Sequence, residues 1–500
     1  MTAIRMATGL TGKKRPLTIF RKMSTRRAST IKRHPIPGEG NRRRETVRSA
    51  RIANSSKKYY ATGSTMKIYE FPSAAAEKKI EAIVNRGLQF SRKDENRVRR
   101  ILEDVRKNGD AALMRYVTEF DAPNLKLDRL QVSPAEFAEA ETAVNRAFRR
   151  ALNRAVSQIE AFHRQQLPRS WMQTERPGTF LGQMVHPVEA AGVYVPGGKG
   201  GTTPLVSSVL MGAIPAKIAG VEKVVMITPP TADGKVNPHL LKAAKTVGVD
   251  AVYKAGSAWG IAGLAYGTAT LPKVDVIVGP GNLYVTLAKK LVAGTVGIDM
   301  IAGPSEVLVI ADATIDADYA AADLLSQAEH DVLASAVLLT DSRGTAERVS
   351  TAVDRQLASL SRREIAAESL QRYGAILVMP SLDAAIGLAN RIAPEHLELQ
   401  VADPFALMGR IRNAGAVFMG EFTPEPVGDY IAGPNHVLPT AGTARFSSAL
   451  SVEHFVKKTS LIHYSADAFH REAADIMTLA EIEGLSAHAN AVRLRMKKKG

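Results

Sequence analysis

From about His186 onward, short apolar runs alternate with segments whose apolar residues recur every three or four positions, and this alternation limits the fold more than anything else in the chain. The runs fall at 191–195, 224–228, 251–254, 274–278, 307–311, 336–340, 375–379 and 416–419. Helical periodicity fills most of the gaps, at 237–248, 257–268, 282–293, 316–329, 344–358 and 381–392. Strands joined through helices run parallel, and the helices cover the sheet faces, so the expected class is α/β with parallel sheets. There are too many runs for one small sheet, and two Rossmann-like units are the natural division. Upstream, 75–110 and 134–166 read as charged amphipathic helices, with Ile80, Ile83, Val84 and Leu88 on one stripe.

Charge is distributed unevenly. Residues 1–65 hold 17 Lys and Arg against Glu39 and Glu45, whereas the remaining residues carry 49 basic against 47 acidic groups. A +17 chain therefore has a nearly neutral globular part, which argues against nucleic acid as its main partner. The arm, with little apolar periodicity, is expected to be a disordered basic extension. Four readings stay open for it: translated sequence upstream of a start at Met66, an organellar transit peptide, a tail for nucleic acid or an anionic surface, or a solvating extension. No run approaches the roughly 18–20 apolar residues of a membrane span, and with the arm set aside the cytoplasm is the expected location. The chain has no cysteine. Disulfides, thiolate metal ligands and thiol nucleophiles are thus excluded, and any metal must be held by N and O donors.

Two glycine-rich loops follow strand runs. One is Tyr194-Val195-Pro196-Gly197-Gly198-Lys199-Gly200-Gly201, and the other is Gly279-Pro280-Gly281-Asn282. Glycine lets backbone N–H groups approach an anion at a helix start, although neither loop matches the dinucleotide fingerprint and tight turns alone would look the same.

Acid/base and metal-competent residues cluster beside Gly and Pro in the second half. Gln327 and His330, three apart, would share a helical face and offer an O and an N donor; Asp429 and His488 could complete a set suited to zinc. Glu395 and His396 follow Pro394, a helix stop, and pair a carboxylate with an imidazole that titrates near neutrality. His436 and Glu483 are further candidates.

Six ordered segments carry a resemblance. Val193-Tyr194-Val195-Pro196-Gly197-Gly198, Gly279-Pro280-Gly281-Asn282, Ile301-Ala302-Gly303-Pro304-Ser305-Glu306-Val307, Ser326-Gln327-Ala328-Glu329-His330, Ala393-Pro394-Glu395-His396-Leu397 and Gly433-Pro434-Asn435-His436-Val437-Leu438-Pro439-Thr440 resemble histidinol dehydrogenases. The resemblance runs from Met66 to the C-terminus. It implies zinc- and NAD-dependent oxidation of L-histidinol through L-histidinal to L-histidine. It further implies zinc ligands at Gln327, His330, Asp429 and His488, substrate contacts at these and at Ser305, His436 and Glu483, an acid/base pair at Glu395 and His396, and NAD contacts at Tyr194 and Asn282.

The implied architecture is a homodimer of two incomplete Rossmann-like domains plus small terminal helical segments. Its expected division is a helical segment at 66–92, one domain from 93–193 with 308–448, a second at 194–307, and an exchanged segment at 449–500 that takes His488 and Glu483 to the partner. Without cysteine, the aldehyde step cannot pass through a thiohemiacetal, which leaves water activated by Glu395, with His396 as base for the alcohol proton. Trp259 stands where the family often has a glutamine near the dinucleotide, and an indole cannot accept a hydrogen bond. The rival readings are a dehydrogenase of the same fold acting on another alcohol, such as a sulfonated diol, and a binding protein that uses the basic arm.

Overall fold

The structure is a computed structural model that describes residues 64–86, 90–197 and 203–497. The basic arm up to residue 63, Leu88 and the loop residues Gly198 to Gly201 lie outside these residues. In chain order the strands are β1 (Ile68–Glu70), β2 (Trp171–Gln173), β3 (Thr179–Pro187), β4 (Ala190–Tyr194), β5 (Lys223–Thr228), β6 (Ala251–Lys254) and β7 (Val276–Val278). They continue with β8 (Gly297–Ile298), β9 (Glu306–Ala311), β10 (Ser335–Thr340), β11 (Ala375–Val378), β12 (His396–Gln400), β13 (Ala416–Met419) and β14 (Val456–Tyr464).

Two parallel sheets organise the molecule, one ordered β1-β11-β10-β9-β12-β13 and the other β6-β5-β4-β7-β8. Their central strands are buried along their whole length, as in the Glu-Val-Leu-Val-Ile-Ala run of β9, because helices cover both faces. The five-stranded sheet starts at β4, builds outward through β5 and β6, then crosses to β7; the six-stranded sheet, apart from its edge strand β1, starts at β9, builds outward through β10 and β11, then crosses to β12. The crossings fall between β4 and β7 and between β9 and β12, the switch points at which such sheets open a crevice. Every strand expected from the sequence is present to within two residues.

Three features of the packing go beyond what was legible in the sequence. β14 pairs antiparallel with β3 along nine residues, and β2 joins the other edge of β3. Second, β1 adds to the edge of the six-stranded sheet beside β11, so the N-terminal segment is strand as well as helix. Helix Ala74–Val84 buries Ala76, Ile80 and Ile83 on that sheet, while Val84 faces solvent.

Third, residues 93–193 pack mainly on the five-stranded sheet, and they meet 308–448 where Asn435 approaches His163 and Val437 joins the core of Leu152 and Ile159. Helix Arg92–Tyr116 turns Val98, Ile101, Leu102 and Val105 into a core shared with helices Ser257–Tyr266 and Leu283–Val292. Helix Arg146–Arg164 packs on helix Val206–Ala219, and β4 is the middle strand of the five-stranded sheet. The physical reason is that these apolar stripes need a matching helical surface, and the five-stranded layer supplies it. No described helix is long and apolar enough to cross a membrane.

Candidate active site

The site forms at the amino-terminal edge of the six-stranded sheet, where β9 and β12 run side by side and His396 lies opposite Val307. Helix Leu382–Ile392 ends on Ala393 in the left-handed region (φ 54), and Pro394 then commits the chain to an extended path into β12. That turn delivers Glu395 and His396 to the start of the strand, both buried.

Glu306, the first residue of β9, holds both of them. Its backbone N–H donates to Glu395 Oε2 at 2.9 Å, its carbonyl pairs with His396 Nδ1 at 2.9 Å, and its own carboxylate accepts from the Glu395 N–H at 3.3 Å. A carbonyl can only accept, so Nδ1 carries the proton and Nε2 keeps its lone pair. Burial lowers the pKa of His396, which keeps it neutral as a base. Burial also raises Glu395 well above the carboxylate range, with Glu306, Glu425 and Asp429 adding repulsion.

Helix Glu425–Tyr430 brings two more carboxylates to the pair. The ligand atoms of His396, Glu425 and Asp429 lie within 4.8 Å of one another, and His396 Nε2 is 3.8 Å from Glu425 Oε1. Glu425 is pushed up to about 8 by burial and by Asp323, and Asp429 to about 7 by burial and Glu425. Gln327 is wholly buried beside them. With its NH2 turned to the Glu425 carboxylate at 2.9 Å, its carbonyl accepts from the Glu306 N–H at 2.7 Å. The reverse orientation aims the Gln327 oxygen at the same carboxylate, an arrangement that a cation among them would favour. Buried carboxylates that raise one another's pKa values, beside imidazoles that burial keeps neutral, fit a divalent metal.

His330 lies outside the helical face expected for it. Helix Ala317–Ala328 ends before it, and its N–H closes a turn on the Gln327 carbonyl at 3.2 Å. It keeps an exposed edge, yet crowding on its inner side lowers its pKa, with His396 contributing. His436 Nδ1 sits 3.8 Å from Asp429 Oδ1, and its Nε2 is buried with no partner among the described residues. Burial, then His396, brings His436 down to about 4. The loop carrying it is pinned at both ends: the Asn435 amide donates to Met211 O at 2.8 Å, and the Ala441 N–H donates to Glu306 Oε1 at 3.1 Å. Ser305 precedes β9, and its carbonyl accepts from the Ser335 N–H.

A family model described as histidinol dehydrogenase matches residues 84–496. The chain belongs to the histidinol dehydrogenase family. It is 55% identical over 425 residues to the histidinol dehydrogenase of Desulfotalea psychrophila, covering 85% of this chain and 98% of that one. It is 51% identical over 435 residues to that of Geobacter sulfurreducens, covering 86% and 100%. The crystal structure of histidinol dehydrogenase from Elizabethkingia anophelis superposes with a TM-score of 0.81 at 36% identity, over 87% of this chain and 99% of that one.

The residues expected to meet NAD lie in the five-stranded sheet, at the carboxyl ends of β4 and β7. Tyr194 is buried, with its hydroxyl engaged by the Ser257 backbone and its pKa raised by burial. The Asn282 side-chain carbonyl caps helix Leu283–Val292 through the N–H groups of Tyr284 and Val285. Trp259 donates its indole N–H to Asp121 at 2.9 Å and stacks with Phe120 and Tyr116, at centroid distances of 5.4 and 5.9 Å. It is therefore committed to packing inside the protein.

Glu483 and His488 are exposed at the junction of helices Ala466–Ile482 and Ser486–Met496, outside the cluster formed by their own chain. Sequence reasoning missed Glu425 and Glu306. Glu425 had a signal, since it lies four residues before Asp429 and a single helical turn puts both on one face. Glu306 stood just before the apolar run 307–311, and the strand proved to begin one residue earlier.

Proposed function

We propose that the chain oxidises L-histidinol by way of L-histidinal to L-histidine, with NAD as oxidant and zinc as resident metal. The observation that carries this reading is the buried Glu395 and His396 pair, locked by Glu306 and set against Glu425, Asp429 and His436, whose Nε2 has no partner among the described residues. His396 takes the alcohol proton at Nε2 in the first oxidation. Glu395, a carboxylate with a raised pKa in a dry setting, removes a proton from the water that hydrates the aldehyde before the second. With no cysteine in the chain, that oxygen comes from water. NAD, held beside Tyr194 and Asn282, would supply the hydride acceptor for each oxidation.

Gln327, His330 and Asp429, with His488 of the partner subunit, would hold the zinc ion; bound there, zinc supplies orientation of the substrate amine and imidazole and polarisation of the reacting oxygen. Ser305, His436 and the partner's Glu483 would meet the substrate.

A homodimer with shared sites is part of the proposal. Leu479, Ile482 and Leu494 are 63%, 77% and 57% exposed on the helical pair that carries Glu483 and His488, an apolar face suited to a second copy of the chain. The cytoplasm is the proposed location.

The test is NADH formation by the purified chain given L-histidinol, with and without a chelator. Two NADH per L-histidinol, lost on chelation, is expected; no NADH with metal-loaded protein overturns the reading. Within it, Glu395→Gln keeps an acceptor for the Glu306 N–H and should slow L-histidinal oxidation by roughly 10²–10⁴-fold, more than the alcohol step. Equal slowing of both steps would remove Glu395 from the role of water activator.

A further inference from the structure

Arg86 has no part in the chemistry described so far, yet it is among the most completely engaged side chains near the site. It leaves the C-terminal end of helix Ala74–Val84, which belongs to the N-terminal segment, and its side chain is 2% exposed. Nε donates to Leu333 O at 2.9 Å, Nη1 to Ile83 O at 2.8 Å, and Nη2 to Glu306 Oε1 at 2.9 Å and to Ser305 O at 3.4 Å. A buried guanidinium is tolerated only when its donors and charge are matched, and among the described residues the matching charge is Glu306.

Glu306 divides its polar groups between Arg86 and the acid/base pair. One carboxylate oxygen takes Arg86 and the Ala441 N–H, the other takes the Glu395 N–H, and the backbone fixes the Glu395 carboxylate and His396 Nδ1. Adjacent residues of a strand point to opposite faces, so β-structure alone cannot hold Glu395 and His396 toward one substrate. The contacts to Glu306 perform that task.

We propose that Arg86 and Glu306 form a positioning pair that ties the N-terminal helix to the site and, through Glu306, sets the direction of the Glu395 carboxylate and the tautomer of His396. Ser305 is held by the same guanidinium, so the pair also fixes the end of β9 nearest the substrate. The inference rests on the proposed roles of Glu395 and His396. Loss of the pair should degrade proton transfer rather than substrate affinity.

The experiment compares Glu306→Gln, Arg86→Lys and Arg86→Met, each metal-loaded, with Glu395→Gln and His396→Asn as controls. Lys keeps the charge without the fork, Met keeps much of the volume without the charge, and Gln is isosteric with Glu. We expect kcat for L-histidinol to fall by roughly 10- to 100-fold in Glu306→Gln and Arg86→Met, with KM changed less than about threefold. Arg86→Lys should recover only part of the loss. The acid limb of the kcat/KM pH profile should move by roughly 0.5–1 pH unit, because the hydrogen bond to His396 Nδ1 is disturbed. If Arg86→Met does not fold, Glu306→Gln and Arg86→Lys carry the test.

Folded variants with wild-type kcat and pH profile would overturn the pair's role, and so would losses that appear only in KM. If instead the two control variants keep full activity, the assignment of Glu395 and His396 fails, and the proposal falls with it.

Discussion

Replacing Asp121 by Asn should change how the stability of this chain depends on pH, and the size of the change follows from where that carboxylate sits. Asp121 accepts from the Gly256 N–H at 3.1 Å and from the Trp259 indole at 2.9 Å, at the start of helix Ser257–Tyr266. Burial pushes its pKa from 3.8 up to about 6, although both hydrogen bonds pull the other way. The folded chain therefore binds this proton more tightly than the unfolded chain by about 3 kcal/mol at most.

The sign follows from proton counts. Between pH 3.8 and about 6 the folded state holds more protons here than the unfolded state, so stability falls as pH rises through that window and is level above it. Asn keeps an oxygen for both donors and never ionises. The unfolding free energy of Asp121→Asn minus that of wild type should thus rise by up to about 3 kcal/mol between pH 4 and pH 7. Taking the difference cancels the other buried carboxylates, which titrate in both proteins. Urea unfolding followed by tryptophan fluorescence at several pH values measures it, and Trp259 reports directly. A difference that stays flat with pH, or falls, would refute the burial argument.

Removing His330 by His330→Ala, or Asp429 by Asp429→Asn, should lower bound zinc per chain, read by elemental analysis; unchanged metal content would discard those ligands. Co-expressing Glu395→Gln and His488→Ala subunits, each inactive alone, should restore roughly one quarter of wild-type activity, because only the mixed dimer assembles one intact site. No recovery would mean that His488 serves its own chain. Gly279 has φ +113, and an added Cβ would press on the Tyr194 carbonyl, so Gly279→Ala should cost about 2–4 kcal/mol in urea unfolding. A neutral result there would show that β4 and β7 do not close as tightly as described.

Much of the architecture was legible because it depends on local period. Runs such as Val-Val-Met-Ile-Thr in β5 are apolar on both faces, and only a strand covered on both sides wants that pattern. β14 was missed for the opposite reason: Val456–Tyr464 is polar and largely exposed, and its partner β3 lies far away in sequence. The stripe on helix Arg92–Tyr116 was readable as a stripe, but nothing local states which sheet it will cover.

For this protein, sequence by itself determined the kinds of group available and their order: no thiol, a Glu-His pair after a proline, paired donors at Gln327 and His330, and the ordered segments that mark the family. Tertiary structure alone decided which groups meet and how they are charged. It placed the site at the amino-terminal edge of the six-stranded sheet, brought in Glu425 and Glu306, and held Glu483 and His488 away from their own chain's cluster. The reason is physical. Chemical identity and short-range periodicity are written residue by residue, whereas burial, repulsion between carboxylates and the choice of His396 tautomer arise only when distant segments share a dry interior.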